Sequence, residues 1–411
     1  MSNSRQEKAA VSMPPGLSAI HTVCQRLYPS QTNPIQMTSK IKYWLGGPDP
    51  LDFITIYLNA GTPAKNTPEH WHYITCGLSD LYGDGRIHPI PDTMGLDAPS
   101  GLGMEMTFRL KRKAGQLAPP AWPGELLQGL ARYLYASGNS FVAGDHIAWN
   151  KSLDKAEPDS VVQHILVAED PQLRSIGSEL GRVVFMQLVG VCQEELEAAQ
   201  HWNGRGVLEL MRSTVSGPLW VTDMQRTSSP LATDSRMIQS VRDGITKDGS
   251  DLSGVSCRCR WKEVSHIRPT RRPAPPASPL HISTSEHDTV QMSHLASAHL
   301  TLDFEAGSLL LLALGGRLLH SRHFTFQSVL TDHAITLVSE GVNGTLAQEA
   351  TPFVSIGPWL QVFLDGEAIR EIADDITQCS DASGKFTVAR VFAWPRIKLS
   401  LTVSDEQSLF L

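Results

Sequence analysis

The chain has 411 residues, 41% of them hydrophobic, and a formal net charge of -7. The apolar content excludes a disordered chain, the acidic balance argues against direct nucleic-acid binding through phosphates, and no run of about 18 apolar residues is present to span a membrane. Six scattered cysteines without a CxxC pair and an N-terminus (MSNSRQEKAAVSMPPG) without an apolar core lead us to expect a soluble protein of a reducing compartment, in two domains, with free thiols.

Residues 1–14 read as a loose tail. PPGLSAIHTVCQRLYP follows as a short helix with Leu17, Ile20, Cys24 and Leu27 on one face, ended by Pro29. Strands joined by Gly, Pro and Asp turns are expected from PLDFITIYLNAG to GMEMTFRLKRK. In PPAWPGELLQGLARYLYASGN, Leu126, Leu127, Leu130, Tyr133 and Leu134 form the stripe of a core-facing helix. SFVAGDHIAWN, VVQHILVAED and GRVVFMQLVGV read as strands, and CQEELEAAQHWN as a helix leading into GRGVLELMR. From 266 to 293 the chain is proline-rich and poor in large apolar residues, a flexible linker. Beyond it, AHLTLDFE, SLLLLALG, HAITLVSE, WLQVFLD and RIKLSLTV read as strands around one helix, GEAIREIADDIT. The expected fold is mixed α/β: an N-terminal domain over 15–265, with a mixed sheet and flanking helices, and a smaller α+β domain over 294–405.

The chemistry-bearing patterns are incomplete. His70 and His72 lie two apart, with Glu69 beside them, so on a strand both imidazoles share a face. A cupin-like site places a Glu four or five residues later, where Cys76 and Gly77 stand, and no HExxH occurs. The packed reading of EHWHYI is therefore preferred, and a metal-dependent hydrolase built on Glu69, His70 and His72 is kept as the second one. CRC at 257–259 offers two thiols without partners. There is no GxSxG elbow, no P-loop and no GxGxxG, while GDG at 83–85 and GVNGT at 341–345 are turn chemistry. RLKRK at 109–113 is a basic pulse, read as a solvated turn or as a contact for an acidic partner.

PEHWHYITCGLSDLYGDGR resembles the signature of the Suppressor of fused family, intracellular inhibitors of Hedgehog signalling. KYWLGGPDPLDFITIY, GMEMTFRLKR, PPAWPGELLQGLARYLY, GDHIAWN, AEDPQL, QLVGVCQEELEAAQHWNGRGVLEL, DGSDLSGVS, GGRLLHSRHFT and GPWLQVFL are similar to family blocks in family order, from about residue 15 to about 403. The resemblance implies a monomeric, non-enzymatic, cofactor-free and metal-free regulator, cytoplasmic and nuclear. Such a protein holds Gli/Ci zinc-finger transcription factors in the cytoplasm or silent in the nucleus, and has a Fused-type kinase as a further partner. It also implies the binding mode, a Ser-Tyr-Gly-His-Leu segment lodged as a strand between two domains. Asp145 matches the carboxylate that receives the motif's histidine, Tyr133 its neighbour, Val255 and Cys257 contacts on a second edge, and Leu300 an apolar contact of the C-terminal domain. On the SFVAGDHIAW edge, Phe141, Ala143, Asp145 and Ile147 are expected on one face, with Gly144 permitting close approach. Two departures stand out. Ala296 occupies a position where the family usually has glutamate, and the linker is short and locally basic (RPTRRPAPP) rather than long and acidic. A paralogue serving another partner is the remaining alternative.

Overall fold

The computed structural model describes residues 13–90, 98–214, 217–264, 292–380 and 385–407. The expected tail lies outside them except for its last two residues, and the expected linker except for 292–293. The chain divides into two compact units, 1–199 with 203–238, and 200–202 with 239–411. The first domain was expected to run to 265, but residues 239–264 belong to the second unit.

The first unit is built on an eight-stranded sheet in the order β1-β2-β3-β4-β8-β6-β5, with β7 paired to β8. Its strands are β1 (Ile35–Thr38), β2 (Phe53–Asn59), β3 (His70–Cys76), β4 (Pro99–Lys111), β5 (His146–Ile147), β6 (His164–Glu169), β7 (Ile176–Ser178) and β8 (Gly181–Val191). β4 and β8 pair in parallel and the other neighbours antiparallel. Its helices are α1 (Pro15–Leu27), α2 (Trp122–Ser137), α3 (Gln193–His201) and α4 (Gly204–Ser213), followed by the short α5 (Pro230–Thr233). α1 starts on proline, whose missing N–H is no loss in a first turn. α2 buries Leu126, Leu127, Leu130 and Leu134 against Ile54, Tyr73 and Phe108 on one sheet face, while Ile20 and Cys24 of α1 cover Tyr57, Ile74 and Phe185, which alternate to the other. With both faces covered, every residue of β3 is buried.

The second unit takes in α6 (Ser235–Asp248) from residue 239 on, the helix's first four residues being grouped with the first unit, and carries the short α7 (Phe304–Ser308) and α8 (Leu310–Leu312). Its strands are β9 (Gly254–Cys257), β10 (Cys259–Lys262), β11 (Met292–His294), β12 (Ala298–Leu302), β13 (Phe324–Ser328), β14 (Ala334–Val338), β15 (Phe353–Ile356), β16 (Trp359–Phe363), β17 (Arg390–Trp394) and β18 (Leu399–Val403). They form a six-stranded sheet, β11-β15-β16-β14-β13-β9, and a four-stranded one, β10-β12-β18-β17. The chain steps from one sheet to the other at Arg258. α9 (Gly366–Cys379), capped by the Asp365 carboxylate accepting from Ala368 N at 2.7 Å, buries Ile369, Ile372 and Ile376 in the unit's core. SLLLLALG, expected as a strand, lies in helical turns. Asp303 starts them by accepting from Ala306 N at 2.8 Å, and Leu310, Ala313 and Leu314 go into the core.

Candidate functional site

β5 is a free edge of the first sheet: it pairs with β6 and with no other strand among the described residues. The segment before it departs from the expected continuous strand. Gly144 has φ +103, and the Asp145 carboxylate accepts from Val142 N at 2.9 Å, closing a turn. The alternating face expected for Phe141, Ala143, Asp145 and Ile147 is therefore interrupted, and regular pairing is confined to His146 and Ile147. The turn is held by Gly144 N donating to Val167 O (2.8 Å), Val167 N to Asp145 O (2.9 Å) and Arg205 Nε to Ala143 O (2.9 Å).

Phe141 is buried, and Tyr133, expected on the core stripe of α2, is half exposed. The two rings stack with centroids 6.4 Å apart and planes 17° apart, and Asn139 Nδ2 donates to the Tyr133 hydroxyl at 2.9 Å. Tyr133, Phe141 and Asp145 thus sit on one helix and the loop that follows it, a half-exposed ring stacked on a buried one and, four residues on, a partly exposed carboxylate.

β9 is a free edge of the six-stranded sheet, paired in parallel only with β13 among the described residues. It was expected to belong to the N-terminal domain, yet it is a strand of the second unit. Thr325 N donates to Ser253 O at 3.0 Å and Val329 N to Cys257 O at 2.9 Å. Because main-chain groups alternate sides along a strand, those of Gly254 and Ser256 point to the open side. Gly254 is needed for the pairing itself, since a Cβ there would lie 2.5 Å from Thr325 O. Val255 is half-buried; Cys257 and Leu300 are buried in the second unit's core. Leu300 lies mid-sheet, between Trp261 and Leu401. At Ala296 the backbone N–H donates to Glu263 Oε1 at 3.0 Å, so a carboxylate stands beside this position from another segment.

Glu69 and His72 are committed elsewhere, as is Nδ1 of His70, whose buried Nε2 has no hydrogen-bond partner among the described residues. Glu69 pairs with Arg112 at 2.8 Å and the His70 Nδ1–Pro68 O distance is 2.8 Å. His72 meets the Tyr28 hydroxyl at Nδ1 (2.8 Å) and Arg109 Nη1 at Nε2 (3.0 Å). Burial, reinforced by Arg109, lowers the His72 pKa to about 4, and burial lowers that of His70 to about 3, so both rings are neutral at pH 7. Arg109 in turn grips Asp170. Burial alone would raise that carboxyl, but Arg109, His72 and the Leu173 N–H together outweigh it and hold it well below the usual carboxylate range. Among the described residues no group of three or more His, Cys, Asp or Glu is placed to hold a metal. The rest of the motif wraps a second buried carboxylate: Glu105 accepts from Thr75 Oγ1 (2.6 Å), Gly77 N (2.9 Å), Ser79 N (3.0 Å) and Ser79 Oγ (2.6 Å). The solvated turn expected for RLKRK is also corrected. Arg109 is fully buried, Lys111 pairs with Asp223 at 2.7 Å, Arg112 with Glu69, and Lys113 with Glu157.

The site thus consists of two free strand edges, and most polar groups of the HWH motif are engaged within the fold. The family model described as Suppressor of fused protein matches residues 47–227, and the one described as Suppressor of Fused Gli/Ci N terminal binding domain matches 239–274 and 265–403. The human protein named Suppressor of fused homolog is 42% identical, covering 94% of this chain and 91% of its own length. The chain belongs to the Suppressor of fused family. The crystal structure of Drosophila Suppressor of Fused matches with a TM-score of 0.79 at 34% identity, over 96% of this chain and 98% of that one. A chain of a Sufu–Fu complex crystal structure matches with a TM-score of 0.53 at 43% identity, covering 56% of this chain and 98% of itself. The boundary between the two Suppressor of fused family models falls between 227 and 239, where the compact units also divide.

Sequence reasoning missed the residues that hold the Asp145 turn. Asn203 caps α4 by accepting from Gly206 N at 2.6 Å, and a Cβ on Gly204 would lie 2.1 Å from Gly144 O. The signal was present in HWNGRG, an Asn followed by Gly ahead of an amphipathic run. The free-edge role of Gly254 and Ser256 had no local signal, because it depends on pairing with β13.

Proposed function

We propose that this chain is a non-catalytic regulator that binds a Gli/Ci-type transcription factor by taking up a Ser-Tyr-Gly-His-Leu segment as an added strand, restraining the factor in the cytoplasm or silencing it in the nucleus. The observation that carries the reading is β9, an edge strand whose outward main-chain groups have no strand neighbour among the described residues, in the part of the chain matched by the Gli/Ci-binding family model. Asp145 is the proposed anchor for the peptide histidine and the Tyr133–Phe141 face its aromatic neighbour. Val255 lies along the added strand, while Cys257 and Leu300, being buried, shape the sheets behind it. A charge-assisted bond to Asp145 contributes about 1.5–3 kcal/mol. The matched chain of the Sufu–Fu complex supports a Fused-type kinase as a further partner.

Titration calorimetry of a Ser-Tyr-Gly-His-Leu peptide against the wild type and Ser256→Pro tests the edge. Ser256 is exposed and its N–H faces away from β13, so proline removes a donor to the peptide and none to the sheet. Loss of binding at unchanged melting temperature is the expected result; equal binding by both proteins would remove β9 as the docking edge.

A further inference from the structure

The first unit's sheet has a second free edge. β1 pairs with β2 and with no other strand among the described residues, and it lies at the opposite end of the sheet from β5. Edge strands of soluble proteins are usually blunted by charge, proline or a bulge. Ile35–Thr38 (IQMT) carries no charge and no proline, and Ile35 is 48% exposed.

A groove of about 590 Å³ opens at the C-terminal half of this edge, Met37 and Thr38, between it and the start of α2. Its shape depends on Gly124, where a Cβ would come within 2.5 Å of the Met37 thioether; without one, Met37 crosses the first turn of α2. Ile54 forms the floor, and Ile41, 56% exposed, extends the apolar lining.

The polar groups of the groove are unevenly balanced. Arg132 is neutralised by Asp49 at 2.6 Å. Lys40 and Lys155 are exposed and have no carboxylate partner among the described residues, against one unpaired anion, Glu125. Ser39, at the end of β1, lines the groove while 9% exposed, and its enclosed hydroxyl has no hydrogen-bond partner among the described residues.

We propose that this edge and groove are a second peptide-docking site, which takes an extended acidic segment of a partner protein as a strand added to β1. Residues two apart on the incoming strand share a face. Apolar side chains at alternate positions then cover Ile35 and Met37, and carboxylates reach Lys40 and Lys155. The site draws on the first unit alone and is independent of Asp145 and β9.

The test is fluorescence anisotropy of a labelled Glu-Val-Asp-Val-Glu-Val-Asp peptide against the full chain, first alone and then with excess Ser-Tyr-Gly-His-Leu peptide. The controls are a Lys-Val-Lys-Val-Lys-Val-Lys peptide and the acidic peptide N-methylated at alternate amides. Saturable binding of the acidic peptide is expected, undisturbed by the second peptide and weakened at least tenfold by N-methylation along one edge or by Lys40→Glu with Lys155→Glu. Both lysines are exposed, so the double variant is expected to melt as the wild type does. No saturable binding, displacement by the Ser-Tyr-Gly-His-Leu peptide, equal binding of the lysine peptide, or unchanged affinity in the folded double variant would each overturn the proposal.

Discussion

Arg109 and Asp170 form a bidentate ion pair, Nη1 to Oδ2 at 2.6 Å and Nη2 to Oδ1 at 3.1 Å, with neither side chain exposed to solvent. Two charges survive in the interior because their remaining polar atoms are largely occupied. Arg109 also donates to Gln187 (3.1 Å) and Gln172 (3.0 Å), and Asp170 accepts from Thr107 Oγ1, Gln172 N and Leu173 N, each at 2.8 Å. The pair ties β4 to the turn after β6 and gives His72 its polar surroundings.

Removing one partner strands the other charge. Arg109→Met is expected to cost about 3–5 kcal/mol, while Arg109→Met with Asp170→Leu costs less than the single change. Urea midpoints of the first unit's transition, followed by tryptophan fluorescence, read both. A double variant less stable than Arg109→Met would show that the pair stabilises more than the desolvation argument allows.

The buried imidazoles give stability a pH dependence of definite sign. In the unfolded chain both histidines protonate near pH 6.5, whereas in the folded one His72 waits until about 4 and His70 until about 3. The unfolded state therefore binds more protons between those limits. Stability is full above about pH 6.5 and falls as pH drops toward 4, by about 3 kcal/mol from His72 alone. Asp170, depressed by Arg109, adds its own loss only below about pH 4. Melting temperatures measured from pH 7.5 to 4.5 should fall, and less steeply in His72→Gln; a flat wild-type profile would contradict the burial argument.

Gly204→Ala probes the support of the Asp145 turn. Its Cβ meets backbone, the Gly144 carbonyl, rather than a yielding side chain, so α4 or the turn must move. A loss of about 1–3 kcal/mol is expected. The peptide's affinity should fall more than for Gly129→Ala, a helix position where the nearest atom to a new Cβ is Arg132 Nη2 at 3.8 Å. Equal affinities for the two variants would mean that the turn does not position the anchor.

The proposed partner histidine makes binding itself pH-dependent. From pH 8 to pH 6 the peptide imidazole gains charge, and a carboxylate facing it gains a charge-assisted bond. Affinity should rise about fivefold in the wild type, roughly the difference between a neutral and a charged hydrogen bond, and stay level in Asp145→Asn. A level wild-type profile would leave only a neutral contact.

Helices with a stripe and a boundary signal, α1, α2, α3 and α9, were legible in the sequence, as were the strands of alternating or wholly apolar pattern. SLLLLALG was not, because an unbroken apolar run has no period to separate helix from strand; the deciding group is Asp303, upstream of it. SFVAGDHIAWN hid a turn whose signal, Ala-Gly-Asp, was outweighed by the flanking apolar residues. The HWH motif was legible as packing, but not what it packs with, since Arg109 and Asp170 reach it from other strands and loops. The placement of β9 and β10 in the second unit rests on partners at 325–328 and 299–302, which no local pattern announces.

The central claim is most directly tested by an anisotropy titration of a labelled Ser-Tyr-Gly-His-Leu peptide against the wild type and Asp145→Arg, with melting curves for both. Saturable wild-type binding, abolished in a variant that still melts cooperatively, is the predicted result and places the polar anchor at Asp145. A folded wild type that does not bind the peptide, or a folded Asp145→Arg that binds it equally, would contradict the account.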